Sequence, residues 1–260
     1  MRRRPYGFAL LLLTACAAGD REPDREPGQV PTNGLQLDAA ILARIEPAPL
    51  SDGWAEELAA TAGGAGLLHY VAICALGPDQ DLLGEPGYYG LAREWVTEPC
   101  TGACRHWVSA CLLAHANAFG TSVVISPRGA HPGLASPDPD FTIQEAAFYG
   151  DVFTGDERTL EMYACAGRGL TDAEHYLEGR ICGVSSYCGL VQTGLCGSLV
   201  PATIAGAGDV DLGAACEVDA GRSGTYADCH TGDHFERAPR RSPLVSEVVT
   251  VYLHPSHPLR

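Results

Sequence analysis

CTGACRHWVSACLLAH, residues 100 to 115, places three cysteines, two histidines and a tryptophan within sixteen positions. Gly102 precedes a run rich in alanine and leucine, and Gly120 follows Phe119 as a stop signal, so the spacing predicts a helix over about 103–118. At 3.6 residues per turn, Cys104, Trp107, Val108, Cys111 and His115 share one stripe, with Leu112 beside it. Arg105, Ser109 and Asn117 fall elsewhere, toward water. The cysteines therefore belong to the buried face. Seven residues of helix rise about 10.5 Å, whereas bridged Cα atoms sit at most about 7 Å apart. Cys104 and Cys111 thus cannot join each other. Each is expected to reach a different segment and clamp the helix from two points, while Cys100, at the helix entrance, is freer to pair.

The same stretch has rival readings. As a zinc site it would offer Cys100, Cys104, His106 and His115, but structural zinc draws on two close ligand pairs, and the later cysteines are spaced irregularly. As a nucleophile, Cys104 or Cys111 would need an exposed, polar surrounding that lowers its pKa, and the stripe is apolar. His115 reads as a core histidine with one satisfied nitrogen. A stapled helix is the reading adopted.

The rest of the chain says where such staples form. It opens MRRRPYGFALLLLTAC, with a basic start at Arg2 to Arg4 and a short apolar core at Phe8 to Leu13. A core of roughly ten residues is too short to span a bilayer and reads as an export signal over residues 1–15. Leu13-Thr14-Ala15-Cys16 resembles the lipobox of bacterial lipoproteins. The resemblance implies a diacylglyceryl thioether on Cys16 and stable anchoring by two or more acyl chains. Ala17 in place of aspartate favours the outer membrane, on its periplasmic or surface face.

Beyond Cys16 there are ten further cysteines: Cys74, Cys100, Cys104, Cys111, Cys165, Cys182, Cys188, Cys196, Cys216 and Cys229. An even number in an exported chain reads as a disulfide framework whose connectivity sequence alone does not give. Residues 16–260 keep 14 arginines and 32 acidic residues, a net charge of −18, and there is no lysine. So acidic a surface repels phosphate, which excludes nucleic acid as a partner.

Residues 16–36, with the near-repeat Asp20-Arg21-Glu22-Pro23 and Asp24-Arg25-Glu26-Pro27, read as a lipidated cysteine and solvated tether. Residues 37–260 follow as a single disulfide-stabilised domain. Ser51-Asp52-Gly53-Trp54 starts a helix that stops at Gly63-Gly64, and an apolar run covers Leu67 to Leu76. Residues 121–126, 147–153 and 248–253 alternate or are β-branched and read as strands. The proline-rich stretch 126–140 and residues 197–235 read as long loops suited to recognition. The fold class expected is α+β: an N-terminal helical part and a small antiparallel sheet with long loops.

Asp228, His230, Asp233 and His234 form the densest cluster of acid–base and metal-ligating groups, and Gly232 argues against a helix that would align the two histidines. Glu145 and Asp151 flank an aromatic strand, but six extended residues span about 20 Å, too far for a glycosidase pair. Gly221-Arg222-Ser223-Gly224 lacks the glycine spacing of a nucleophile elbow. With no phosphate loop, dinucleotide fingerprint or zincin helix, no cofactor is expected.

The strings CRHWVSACLLAHANAFGTSVVISPRG (104–129), EAAFYGDVF (145–153), YCGLVQTGLC (187–196) and EVVTVYL (247–253) together resemble a set of uncharacterised cysteine-rich lipoproteins of myxobacteria-like organisms. The resemblance implies export, lipidation and disulfides, and carries no activity and no functional residues. The expectation is a lipid-anchored envelope protein with a binding or structural role and an envelope protein or glycan partner. The alternatives are an extracytoplasmic hydrolase acting on glycan or peptide through Asp228, His230, Asp233 and His234, or a metal carrier.

Overall fold

The computed structural model describes residues 32–118, 122–136, 138–154, 156, 158–167, 177, 179–181, 189–197, 214–231 and 243–256. Cys16, Cys182, Cys188, Asp233 and His234 lie outside the described residues, as does the whole of 1–31, where an export signal and tether are expected from the sequence.

In chain order the elements are β1 (Thr32–Asn33), α1 (Ala39–Leu42), α2 (Asp52–Ala59), α3 (Gly64–Ala75), the pair β2 (Asp81–Leu82) and β3 (Glu85–Pro86), α4 (Ala103–His115), β4 (Val123–Arg128), β5 (Ile143–Asp151), β6 (Glu161–Ala166), β7 (Leu190–Leu195), β8 (Glu217–Val218), β9 (Tyr226–Ala227), β10 (Cys229–His230), β11 (Leu244–Val245) and β12 (Val249–Leu253). The class is α+β. The main sheet has six strands in the order β1-β4-β12-β5-β6-β7. It is not purely antiparallel: β7 runs parallel to β6. A parallel neighbour needs a crossover of a dozen or more residues, and the connection from 167 to 189 is long enough to supply it.

Side-chain alternation sorts the sheet into two faces. Phe148 and Ala146 on β5, Met162, Ala164 and Ala166 on β6, and Val249, Val251 and Leu253 on β12 join the large core beneath α3 and α4. Ala147 and Tyr149 on β5 and Cys165 on β6 point the other way, into a second core shared with Cys196, Ala215, Cys216, Tyr226, Cys229, Val245 and Val248. The sheet is therefore the middle layer between helices and a cystine-rich lobe built on β8–β11.

α2 begins as its sequence dictates: the Ser51 side chain accepts from the Trp54 N–H, meeting one of the unpaired amides of a helix start. α4 begins differently. Gly102 stands at φ 53 and no side chain caps the helix; the Cys100–Cys104 disulfide closes its first turn instead. Cys111 joins Cys74 on α3, fastening two core helices together. Only one of the two clamps expected on α4 therefore reaches another element; the other is local.

The helix also stops earlier than the expected 118. At Ala116 the backbone turns extended (ψ 131) and bridges Leu35 in parallel. The His115 carbonyl accepts from the Gly34 and Leu35 amides, and the Asn117 N–H donates to Leu35 O. The N-terminal segment thus takes the place of the next helical turn. Asn117 is buried and donates through its side chain to Asn33 Oδ1 at 2.9 Å, so the chain's two asparagines lock this joint together. Residues 32–35 are thus paired with β4 and with the end of α4. Ser109, placed toward water by the helical wheel, is also buried, its Oγ accepting from the Val152 amide. The wheel misplaces it because β5 covers the flank of α4 that the sequence leaves blank.

Candidate functional site

The cysteines come first, because their oxidation state decides which chemistry is open to them. Among the described residues four disulfides form: Cys74–Cys111, Cys100–Cys104, Cys165–Cys196 and Cys216–Cys229. Sulfur in a disulfide is neither a thiolate nucleophile nor a thiolate ligand. The zinc reading of residues 100–115 falls with it: Cys100 and Cys104 are joined, and His106 Nδ1 faces Glu247 Oε2 at 3.1 Å.

One group among the described residues has metal-ligand spacing, Cys74, Cys111 and His115, all fully buried. Two of its three donors are spent on each other. His115 Nδ1 lies 2.9 Å from the Cys111 carbonyl, which only accepts, so this nitrogen carries the proton. The imidazole packs between Tyr70 and Tyr89. It behaves as a core histidine.

Of the acid–base cluster, Asp228 and His230 are among the described residues. Asp228 sits at φ 46 in the turn between β9 and β10, where its carboxylate accepts from the Ser246 hydroxyl at 2.6 Å. His230 is a strand residue whose carbonyl accepts from the Tyr149 phenol at 2.8 Å. Glu145 is sealed in the core against Arg180 at 3.1 Å, with side-chain exposures of 0% and 1%. Asp151 pairs with Arg105 at 2.5 Å. Glu145 and Asp151 are thus each engaged by an arginine, and Asp228 by the Ser246 hydroxyl.

Glu145 owes its position to a β-bulge. Between Val251/Tyr252 on β12 the register shifts, so Val251 faces Ala146 but Tyr252 faces Gln144. Glu145 is the additional residue, and bulges re-aim side chains in this way. Its partner Arg180 also donates to Ala114 O at 2.7 Å, at the C-terminal turn of α4, and stacks 5.0 Å over Phe148. A cation at that helix end complements the partial negative charge of its unpaired carbonyls.

The bulge has a second consequence. Strict alternation would send Gln144 to the same face as Ala146; the shift sends it to the opposite face, beside Tyr252. There it forms one wall of a cleft of about 590 Å³, within the usual size of small-molecule sites, about 300–1,000 Å³. Thr142, Gly224, Thr225, Tyr226 and Tyr252 also line it. Gln144 Nε2 donates to Gly224 O and to the Tyr252 phenol, both at 3.1 Å. Tyr226 OH donates to Gln144 Oε1 at 2.9 Å, and Tyr252 OH to Gly224 O at 2.7 Å. Gly224 stands at φ +85, and an added Cβ there would meet the Tyr252 hydroxyl at 2.4 Å; only glycine permits both that turn and that approach. Behind Tyr252, the Arg128 guanidinium stacks 3.7 Å from the ring centre and donates to the carbonyls of Asp138 and Phe141.

The residues of this cleft carry no motif: they are ordinary polar, aromatic and apolar side chains from four separate stretches, 142–144, 218, 223–226 and 252, and a bulge places Gln144 among them. No family description, no curated protein and no solved structure matches the chain.

Proposed function

We propose that this chain is a lipid-anchored binding protein of the cell envelope, held to the membrane by acyl chains on Cys16 and presenting a rigid, disulfide-stabilised domain beyond a short tether. The observation that carries the proposal is the pairing of all eight described cysteines past residue 16 into disulfides, in two different cores. Such use of sulfur fits an oxidising, extracytoplasmic compartment. The basic start, apolar core and Leu13-Thr14-Ala15-Cys16 supply the route there, in keeping with the cysteine-rich lipoproteins the chain resembles. Among the described residues no helix is long and apolar enough to cross a membrane, so anchoring in this reading falls to the lipid. The cleft between Gln144 and Tyr252 supplies a preorganised place to bind, and its walls contain no acid–base pair.

The test is expression of the full chain in a two-membrane bacterium, followed by fractionation and mass measurement of the N-terminal peptide. The expected result is a peptide beginning at Cys16 and carrying acyl mass, in the membrane fraction, with Cys16→Ser released or left unprocessed. An unmodified Cys16 in a cytoplasmic protein would overturn the proposal.

A further inference from the structure

We infer that the cleft binds an uncharged, polyhydroxylated ligand, the neutral units of a sugar chain. This rests on the envelope-binding reading above and gives it a ligand class.

The first ground is where the protons of the wall go. The phenol of Tyr226 gives its proton to Gln144 Oε1, and that of Tyr252 gives its proton to Gly224 O. Both N–H bonds of the Gln144 amide are directed at Gly224 O and the Tyr252 oxygen. The Thr225 hydroxyl donates to Arg222 O at 3.1 Å. The donors of the inner wall are committed within the protein, while a hydroxyl or phenol oxygen has two acceptor lone pairs. Tyr252, accepting one bond from Gln144, and Thr225 therefore meet an incoming molecule as acceptors. Against this inner wall a ligand must bring donors, as a polyol does at every hydroxyl, while the exposed Thr142 and Ser223 hydroxyls at the mouth can donate or accept. A phosphate or carboxylate, which only accepts, would leave these oxygens unpaired against it.

The second ground is charge. None of the residues lining the cleft is a carboxylate, guanidinium or imidazole, and the chain carries −15 overall. Neither an anion nor a cation meets a countercharge in the lining. The charges behind it, Arg128 under the Tyr252 ring and Asp219 beside Thr225 Oγ1, are opposite in sign and favour neither. The ligand is thus neutral as well as donor-rich.

The third ground is shape. Val218 and Ile143 add apolar surface to the same cleft, and Val218 is 56% exposed. Hydroxyl edges opposite acceptors and C–H faces opposite Val218 and Ile143 match the amphipathic surface of a pyranose.

Titration calorimetry on the full-length, lipidated chain in a polyoxyethylene detergent tests this. The probes are N-acetylchitotetraose, maltotetraose and mannotetraose, with de-N-acetylated chitotetraose as cationic comparison and tetragalacturonate as anionic. The expected result is saturable binding of at least one uncharged oligosaccharide, about tenfold or more tighter than either charged one, a gap of about 1.4 kcal/mol. Gln144→Leu, which removes the bonds fixing both tyrosines, and Ser223→Trp, which fills the exposed mouth without touching the network, should each weaken it by about tenfold. Ser223→Trp should keep the parent thermal midpoint, so it decides the matter even if Gln144→Leu does not fold. Absence of binding by all three uncharged sugars, equal binding of a charged one, or binding unchanged in Ser223→Trp would overturn the inference. A lipidated protein with intact disulfides that ignores sugars would remove the ligand class and leave the envelope reading standing. An unlipidated protein that binds them would do the reverse.

Discussion

The two faces of the central sheet solve the same problem with different materials. Among the described residues, the core beneath α3 and α4 has 42 buried apolar residues, three of them cysteines. The core on the opposite face has ten among them, four of them cysteines. The first holds because enough apolar surface leaves water, at about 25 cal/mol per Å². The second is too small for that term to offset the entropy of ordering the short strands β8–β11. There the Cys165–Cys196 and Cys216–Cys229 bonds take over, by limiting what the unfolded chain can explore. The two bonds also touch, Cys165 Sγ lying 3.4 Å from Cys216 Sγ, so they form one joint at the centre of the lobe. Covalent bonds thus matter most where the apolar core is thinnest.

The largest effect should come from breaking that joint. Bridges spanning 31 and 13 residues contribute about 4 and 3 kcal/mol in the loop-entropy account. Replacing all four cysteines by serine should cost about 6 kcal/mol or more in urea melts. Amide exchange should show residues 214–231 opening while α4 and β5 stay protected. Removing Cys74–Cys111 as a pair of alanines should cost about 4 kcal/mol yet leave amides of α3 and α4 protected, because the surrounding core still holds them. Equal loss of protection on both faces would show that the two cores depend on their disulfides alike.

The buried ion pair ranks next. Arg180→Met alone strands the Glu145 carboxylate in the core and should cost about 3–5 kcal/mol, whereas Arg180→Met with Glu145→Leu should recover most of that loss. Calorimetric melts of the two variants measure the difference. On the cystine-rich face, Tyr149→Phe should be smaller, about 1 kcal/mol. It removes one buried hydroxyl bonded to Thr193 Oγ1 and the His230 carbonyl, and burial holds that phenol well above its usual pKa.

The smallest effect is pH-dependent. The Glu247 carboxylate raises the His106 pKa above its ordinary 6.5, and the His106 hydrogen bond lowers that of Glu247 below its ordinary 4.5. The raised histidine contributes stability that is fully present below 6.5 and lost as pH climbs through its folded value. The lowered glutamate contributes stability present above 4.5 and lost as pH falls through its folded value. The excess stability of the parent over Glu247→Gln should therefore be greatest between pH 4.5 and 6.5 and decline on both sides. Half-exposure keeps it small. A difference that is flat with pH would show that the pair does not tie α4 to the segment before β12.

How much of this was legible depended on whether a residue's neighbours are near in sequence. The buried stripe of α4, the Ser51 cap of α2 and the β-branched run at β12 are local patterns, and the structure contains each element. The end of α4 was not legible, because it depends on residues 33–35 arriving from eighty positions away. Strands β6 and β7 went unread for another reason. EMYACA is dominated on its inward face by alanines, whose small side chains blur the period-2 signal, and β7 lies beyond a long crossover. Arg180 gave no sign of burial, since a charged side chain enters a core only opposite a partner the sequence does not point to. The cleft was invisible on the same grounds: it exists because one additional residue, Glu145, turns Gln144 across the sheet.

Mass mapping of the full-length chain, denatured and alkylated without reduction, tests the disulfide framework itself. The expected peptides are linked as Cys74–Cys111, Cys100–Cys104, Cys165–Cys196 and Cys216–Cys229, with none of these eight cysteines alkylated. Alkylated thiols at these positions in protein recovered from the envelope, or sulfur released only by a metal chelator, would contradict it.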